Sequence, residues 1–175
     1  TLIAQYQIGQ YFKMLFGNDQ RKIIYLPSGR SILFKGIDDS EKLKSIVGIK
    51  RIIIEEANQL DFEDFMELDR RVRGFDDIQI ILILNPISEN HWIKKNFCEE
   101  GGAYFPYSEI MKFTYHDNVN GLGEPCLTNA DIDALERLKN ISENHYKIYA
   151  LGEWGIENKE GKFCWAFHLG QIVPT

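Results

Sequence analysis

Apolar positions along this chain follow two spacings. Ile52-Ile53-Ile54 and residues 78–84 are apolar at almost every position. Such runs fit strands covered on both faces, as in a parallel sheet. Between them, Phe62, Phe65, Met66, Leu68 and Val72 recur at helical spacing, with Asp61 as N-cap, Asp64 in the first turn and Gly74 as terminator. Strand, helix and strand in that order predict a right-handed parallel crossover. Upstream, Ile8, Phe12, Leu15 and Phe16 predict a helix over 2–16, ended by Gly17-Asn18. Residues 22–26 and 31–35 read as strands joined by the turn Pro27-Ser28-Gly29-Arg30, an antiparallel hairpin. A loop over 36–40 leads to a short helix over 41–45, capped by Ser40 and closed by Gly48. Downstream, a helix is expected over 90–97 with Trp92 and Phe97, broken by Gly101-Gly102. A third strand is expected over 110–115, then a polar loop over 116–121. Thr128 and Asp131 resemble a capping box, with Asp in place of the usual Glu. They open a helix striped by Ile132, Leu135 and Leu138. A last helix over 142–151 closes at Gly152.

The first apolar run stops at Glu55-Glu56. Ligands of α/β folds bind at the carboxyl edge of the sheet, and two carboxylates there suit a divalent metal and a water to be activated. The arrangement reads as a Walker B strand, with one acid for magnesium and one to orient the attacking water. The competing interpretation is a buried strand followed by an acidic helix start, which the helix dipole also favours. Asn85 ends the second run, and Tyr115-His116 end the expected third strand, so all three positions would share one sheet edge. An Asn there has both a donor and an acceptor for a water or a terminal phosphate; as Asn85-Pro86 it also suits a plain turn. Asp69-Arg70-Arg71-Val72-Arg73 ends the intervening helix. Arg71 or Arg73 could stabilise charge on a transferring phosphoryl group, in cis or from a neighbouring subunit, or simply be solvated cations at a helix C-terminus.

The chain has 175 residues, enough for one sizeable core, and ordinary apolar content, so a soluble globular protein is expected. No apolar run approaches the roughly 20 residues of a membrane helix, and no signal-peptide pattern opens the chain. The start, Thr1-Leu2-Ile3, lacks an initiator Met and suggests a piece of a longer protein. A net charge of −6 argues against nucleic-acid binding driven by overall charge, though not against a local basic patch. Cys98, Cys126 and Cys164 are odd in number and far apart, which fits a reducing compartment better than a disulfide framework or zinc site. No two of the four histidines have the spacing of paired metal ligands on a helix. Trp92, Trp154 and Trp165 lack the basic interleaving of base-stacking platforms and read as packing residues.

An ordered series of segments now carries a resemblance: Ile52 to Leu60, Arg70 to Arg73, Ile83 to Lys95, Phe113 to Asn118, and Tyr149 to Gly155. In that order they resemble the ATPase domain of tailed-phage and prophage terminase large subunits, over roughly residues 31–155. The resemblance implies a P-loop NTPase of the RecA/ASCE-like type: a three-layer α/β core with a mainly parallel sheet, incomplete at the N-terminus, plus the antiparallel hairpin. It implies residues 1–155 as a partial ATPase domain, and 156–175 as a linker or the start of a nuclease domain. By position, Glu55 matches the acid that serves Mg2+, Glu56 the carboxylate that activates water, and Asn85 the motif coupling hydrolysis to movement. Gly152-Glu153-Trp154-Gly155 matches the segment that closes the ATPase domain. The implied cofactors are ATP and Mg2+. The implied partners are double-stranded DNA, the terminase small subunit, the portal protein and further copies in a ring, in the cytoplasm of a bacterial host and without membrane contact.

The sequence also departs from that pattern. A phosphate-binding loop needs Gly-x-x-x-x-Gly-Lys-Ser/Thr. The one Gly-Lys pair, Gly161-Lys162, has Ile156 in place of the first Gly and Phe163 in place of Ser or Thr. The first acid is Glu55, where related ATPases often carry Asp. The segment alone is therefore expected to be inactive. Rival readings are another P-loop motor such as a helicase, a non-catalytic α/β module, and a metal nuclease using His116-Asp117.

Overall fold

A computed structural model describes residues 8–17, 21–36, 48–72, 74 and 76–156. The expected helix over 41–45 lies outside them, as do Arg73 and the tail from 157. The chain divides into two compact units, Thr1–Val47 and Gly48–Thr175.

In the first unit, β1 (Phe12–Phe16), β2 (Arg21–Tyr25) and β3 (Ser31–Phe34) form an antiparallel sheet in the order β1-β2-β3. The expected hairpin is present as β2 and β3, with Ile23 opposite Ile32. The helix expected over 2–16 is corrected: its C-terminal part is strand β1, paired through Phe12↔Tyr25 and Met14↔Ile23. Phe12 and Met14 are half-buried while Lys13 and Leu15 face solvent, an alternation of period two within a run that also fits period 3.6. The ladder to β2 and the Phe12–Tyr25 ring contact, with centroids 5.3 Å apart, select the strand.

The second unit is built on β4 (Arg51–Ile54), α1 (Phe62–Arg71) and β5 (Gln79–Leu82). β4 and β5 are parallel, with Arg51↔Gln79 and Ile54↔Leu82 in register, as the two apolar runs predict, but the expected cover on both faces is corrected: Ile53, Ile81 and Ile83 are exposed. Ile54, Ala57, Leu60, Phe65, Leu68 and Val72 are buried, so one stripe of α1 packs in the core. Asp61 occupies the N-cap position, but its side chain makes no capping hydrogen bond. Trp92 and Ile93 begin a helical turn that widens into a π-helix over Lys94–Cys98, where the sequence predicts an ordinary helix. α2 (Asn129–Ile141) opens with the expected Thr128–Asp131 capping box, and α3 (Glu143–Tyr149) with Ser142 accepting from the His145 N–H.

The third strand expected over 110–115 does not form. The described parallel sheet has two strands, and residues 110–114 run as irregular chain with Ile110, Met111 and Phe113 exposed. Thr114 and Asp117 form a capping box that starts a 3-10 turn over Tyr115–Asp117. An apolar run makes a strand only where a neighbour offers a ladder, and here the local cap takes the Thr114 N–H instead.

Candidate active site

Parallel pairing puts the ends of β4 and β5 on one edge. β4 gives way at Ile54 to Glu55 and Glu56, both exposed. The ladder continues past the strands: the Ile83 N–H donates to the Ile54 carbonyl at 2.9 Å, and the Ala57 N–H to the Ile83 carbonyl at 3.0 Å. Glu56 is thus the last residue before a backbone bond across to the β5 chain. Asn85 follows two residues after Ile83, also exposed, and its carbonyl accepts the Ile87 N–H at 2.9 Å.

Glu56 has a left-handed backbone, φ 51° and ψ 41°, and is the one described non-glycine residue with positive φ. This conformation costs an ordinary L-residue about 1–2 kcal/mol, so its surroundings must enforce it. It bends the chain from the strand into a 3-10 turn over Ala57–Gln59. Within the turn, the Gln59 N–H donates to the Glu56 carbonyl at 2.8 Å, and the Leu60 N–H to the Ala57 carbonyl at 3.2 Å. The Gln59 side-chain amide also donates to Glu56 Oε2, orienting the carboxylate.

The turn is held from outside by the segment following β5. His91 Nδ1 accepts the Ile93 N–H at 3.2 Å, which leaves the ring proton on Nε2, facing the Asn58 carbonyl at 3.1 Å. Trp92 Nε1 donates to the Leu60 carbonyl at 2.7 Å. Trp92 is fixed by Phe62 and Phe65, each with ring centroids 5.3 Å from its own. The sequence pattern gives neither residue a part at this edge: the histidines lack the spacing of paired metal ligands, and Trp92 reads as a packing residue, not a base-stacking platform. The available signal was two ring N–H donors placed six and seven residues after Asn85.

The other candidates lie elsewhere. Arg71 sits nine residues down α1, about 14 Å along its axis from the first turn. There its guanidinium grips the Glu67 carboxylate, with Nε at 3.0 Å. Tyr115 and His116 end no strand of the sheet. The Tyr115 hydroxyl donates to Glu136 Oε1, which also accepts from the Tyr146 hydroxyl at 3.2 Å. Lys139 lies 3.4 Å from Glu136 Oε2. The Tyr115 bond, with help from Lys139 and Tyr146, holds the Glu136 carboxyl below the usual glutamate range. The same bond and desolvation push the Tyr115 phenol above its ordinary value. No cluster of three or more metal-ligating side chains occurs among the described residues, and none of their helices is long and apolar enough to cross a membrane.

The segment Gly152–Gly155 returns to this edge. The Gly155 N–H donates to the Pro86 carbonyl and its carbonyl accepts the Glu89 N–H, both at 2.8 Å. Gly155 is buried, and a Cβ there would lie 2.6 Å from the Ile87 carbonyl oxygen.

A parallel β-α-β unit, with two acids following its first strand, defines an α/β protein. The particular family follows from comparison. The family model described as phage terminase large subunit matches residues 1–153, and the chain belongs to that family. It is 29% identical over 140 residues to the PBSX phage terminase large subunit of Bacillus subtilis (strain 168), covering 74% of this chain and 32% of that protein. It is 26% identical over 162 residues to the large terminase subunit of Bacillus phage SPP1, covering 86% of this chain and 36% of that protein. The chain therefore spans about a third of the length of these curated relatives. A solved large terminase from a thermophilic bacteriophage shares the fold, with a TM-score of 0.61 at 16% identity over 87% of this chain and 36% of that one. The same thermophilic phage terminase in complex with ADP gives a TM-score of 0.59 at 17% identity, over 89% of this chain and 36% of that one. Its complex with ATP-gamma-S gives 0.56 at 16%, over 89% and 35%.

Proposed function

We propose that this segment is the water-activating part of a P-loop ATPase that drives phage DNA packaging, with residues 1–155 in the ATPase domain and 156–175 leading out of it. One observation carries the reading: in a terminase-family chain, two exposed carboxylates follow a strand whose parallel neighbour leads to Asn85 at the same edge. The nucleotide complexes of the thermophilic phage terminase support ATP as the ligand of this fold.

In this reading Glu56 accepts a hydrogen bond from the attacking water and orients it toward the γ-phosphate. The Gln59 amide occupies Oε2, and a carboxylate has lone pairs to spare on its second oxygen. Asn85 contacts the water or the terminal phosphate. Magnesium suits the hard oxygen donors present, since it takes one or two carboxylates and completes its shell with water and phosphate. Glu55 would hold it, and it would screen the charge of the phosphates. Arg71, committed to Glu67 and carried away from Glu56, fits a role toward a neighbouring subunit's site better than its own. Arg73 is proposed with it. Double-stranded DNA, the small subunit, the portal protein and other copies in a ring are the partners, in the host cytoplasm.

The test is Glu56→Gln in a large subunit of the relatives' full length that carries this segment. ATP turnover is expected to vanish while nucleotide binding persists; undiminished turnover refutes the assignment.

A further inference from the structure

We infer that His91 and Trp92 are positioning residues for Glu56, holding its backbone in the left-handed conformation by gripping the turn that follows it. The inference rests on the reading of Glu56 as the water-orienting acid, but its first test does not.

A residue at φ 51° stays there only if something resists its relaxation. The bonds inside the turn, Gln59 to Glu56 and Leu60 to Ala57, are local, and the Ala57 N–H bond to the Ile83 carbonyl ties only the residue next to Glu56 to the neighbouring strand. What distinguishes this turn is that two of its carbonyls, on Asn58 and Leu60, are held by ring N–H donors from residues more than thirty positions away. The donors are rigid. The His91 ring is oriented by the Ile93 N–H on its other nitrogen. The Trp92 indole is wedged among Phe62, Phe65 and Phe97. Ring donors of fixed direction on adjacent residues set both the height and the tilt of the turn. Gln59, which rides on that turn, then presents its amide to the Glu56 carboxylate. The donors belong to the stretch that begins at Asn85, so the residue proposed to meet the phosphate and the residues that aim the acid share one short piece of chain.

Trp92→Phe keeps an aromatic ring and removes the N–H. His91→Leu removes both nitrogens, whereas His91→Gln returns a donor at the reach of Nε2. The first measurement uses the 175-residue chain and NMR: the Glu56 13Cα and 13Cβ shifts, which report left-handed backbone, and amide exchange at Ala57 and Gln59. Trp92→Phe and His91→Leu are each expected to move the Glu56 shifts toward ordinary backbone values and to speed exchange about tenfold, the effect of losing one hydrogen bond. His91→Gln is expected to restore both. Unchanged Glu56 shifts and exchange in Trp92→Phe and His91→Leu overturn the inference.

The second measurement uses the full-length subunit. Both removing variants are expected to lower kcat about tenfold with KM for nucleotide unchanged, and His91→Gln to recover it. Unaltered kcat alongside shifted NMR signals, in a protein that Glu56→Gln inactivates, overturns the positioning role. Full turnover in Glu56→Gln overturns the reading of the acid instead, whatever the NMR shows.

Discussion

Replacing Glu56 by glycine should stabilise the fold relative to replacing it by alanine. Both substitutions delete the carboxylate and its Gln59 contact, so their difference isolates one methyl group on a left-handed backbone. At φ 51° and ψ 41° the Cβ crowds the following carbonyl, which costs about 1–2 kcal/mol. Glycine escapes that cost but loses about 0.5–1 kcal/mol through the greater freedom of its unfolded chain. The net advantage of Glu56→Gly over Glu56→Ala centres on about 0.75 kcal/mol, within about 0–1.5. For a domain of this size that is a Tm difference of about 1–4 °C. Thermal or urea unfolding followed by tryptophan fluorescence reads it directly, because Trp92 and Trp154 lie in the same unit as Glu56. An alanine variant as stable as the glycine variant, or more so, would show that the left-handed conformation is not an enforced feature. The expected order means that the chain gives up stability to keep a side chain here, which a plain turn does not require.

Two other perturbations follow from the packing and the charges. Gly155→Ala should cost about 1–3 kcal/mol, because the new Cβ would lie 2.6 Å from the Ile87 carbonyl oxygen and 2.4 Å from Ile148 Cδ1; urea denaturation checks it, and a change below about 0.5 kcal/mol contradicts the close approach. Glu136 has a folded pKa below its unfolded value, through the Tyr115 hydroxyl first and then Lys139 and Tyr146. Its contribution is therefore present above the unfolded glutamate pKa and is lost as pH falls through the lower folded value. Glu136→Gln should flatten the fall in stability on the acid side, seen as a smaller pH dependence of Tm below about pH 4.5; an unaltered acid limb would contradict it.

The continuous apolar runs Ile52-Ile53-Ile54 and 78–84 made the parallel pairing legible, but not its burial, since Ile53, Ile81 and Ile83 are exposed on a face the runs predict to be covered. The capping box at Thr128 was legible because its two partners are three residues apart and need nothing else. Two elements were not. Phe12, Leu15 and Phe16 fit a helix and a strand about equally, and only pairing with Arg21–Tyr25 decides between them. Ile110 to Tyr115 carry a strand-like run, but whether a ladder exists beside it is not a property of that run. At the candidate site, the acids and Asn85 stood out because their position relative to the apolar runs fixes an edge. His91 and Trp92 did not, because their bonds go to backbone carbonyls of Asn58 and Leu60. Every residue has such a carbonyl, so no side-chain pattern announces the contact. The left-handed Glu56 was hidden for the same reason, since glutamate carries no preference for that region.

Residues 85–92 are held on two sides, and this constrains how they can move. On one side Gly155 bonds to Pro86 and Glu89. On the other, His91 and Trp92 bond to Asn58 and Leu60. Each bond contributes about 0.5–1.5 kcal/mol net, so freeing the stretch from both neighbours costs about 2–6 kcal/mol, and freeing it from one costs about half that. A ligand can shift such an equilibrium only by its differential affinity for the two states, and about 5.5 kcal/mol is needed to invert a 99:1 population. Breaking both sets of bonds would use most of that. Moving the stretch with one neighbour while releasing the other uses far less. Both sides have further anchors: Asn144 holds the chain just beyond Gly155 by accepting the Ile156 N–H at 2.8 Å, and Trp92 packs against Phe62, Phe65 and Phe97.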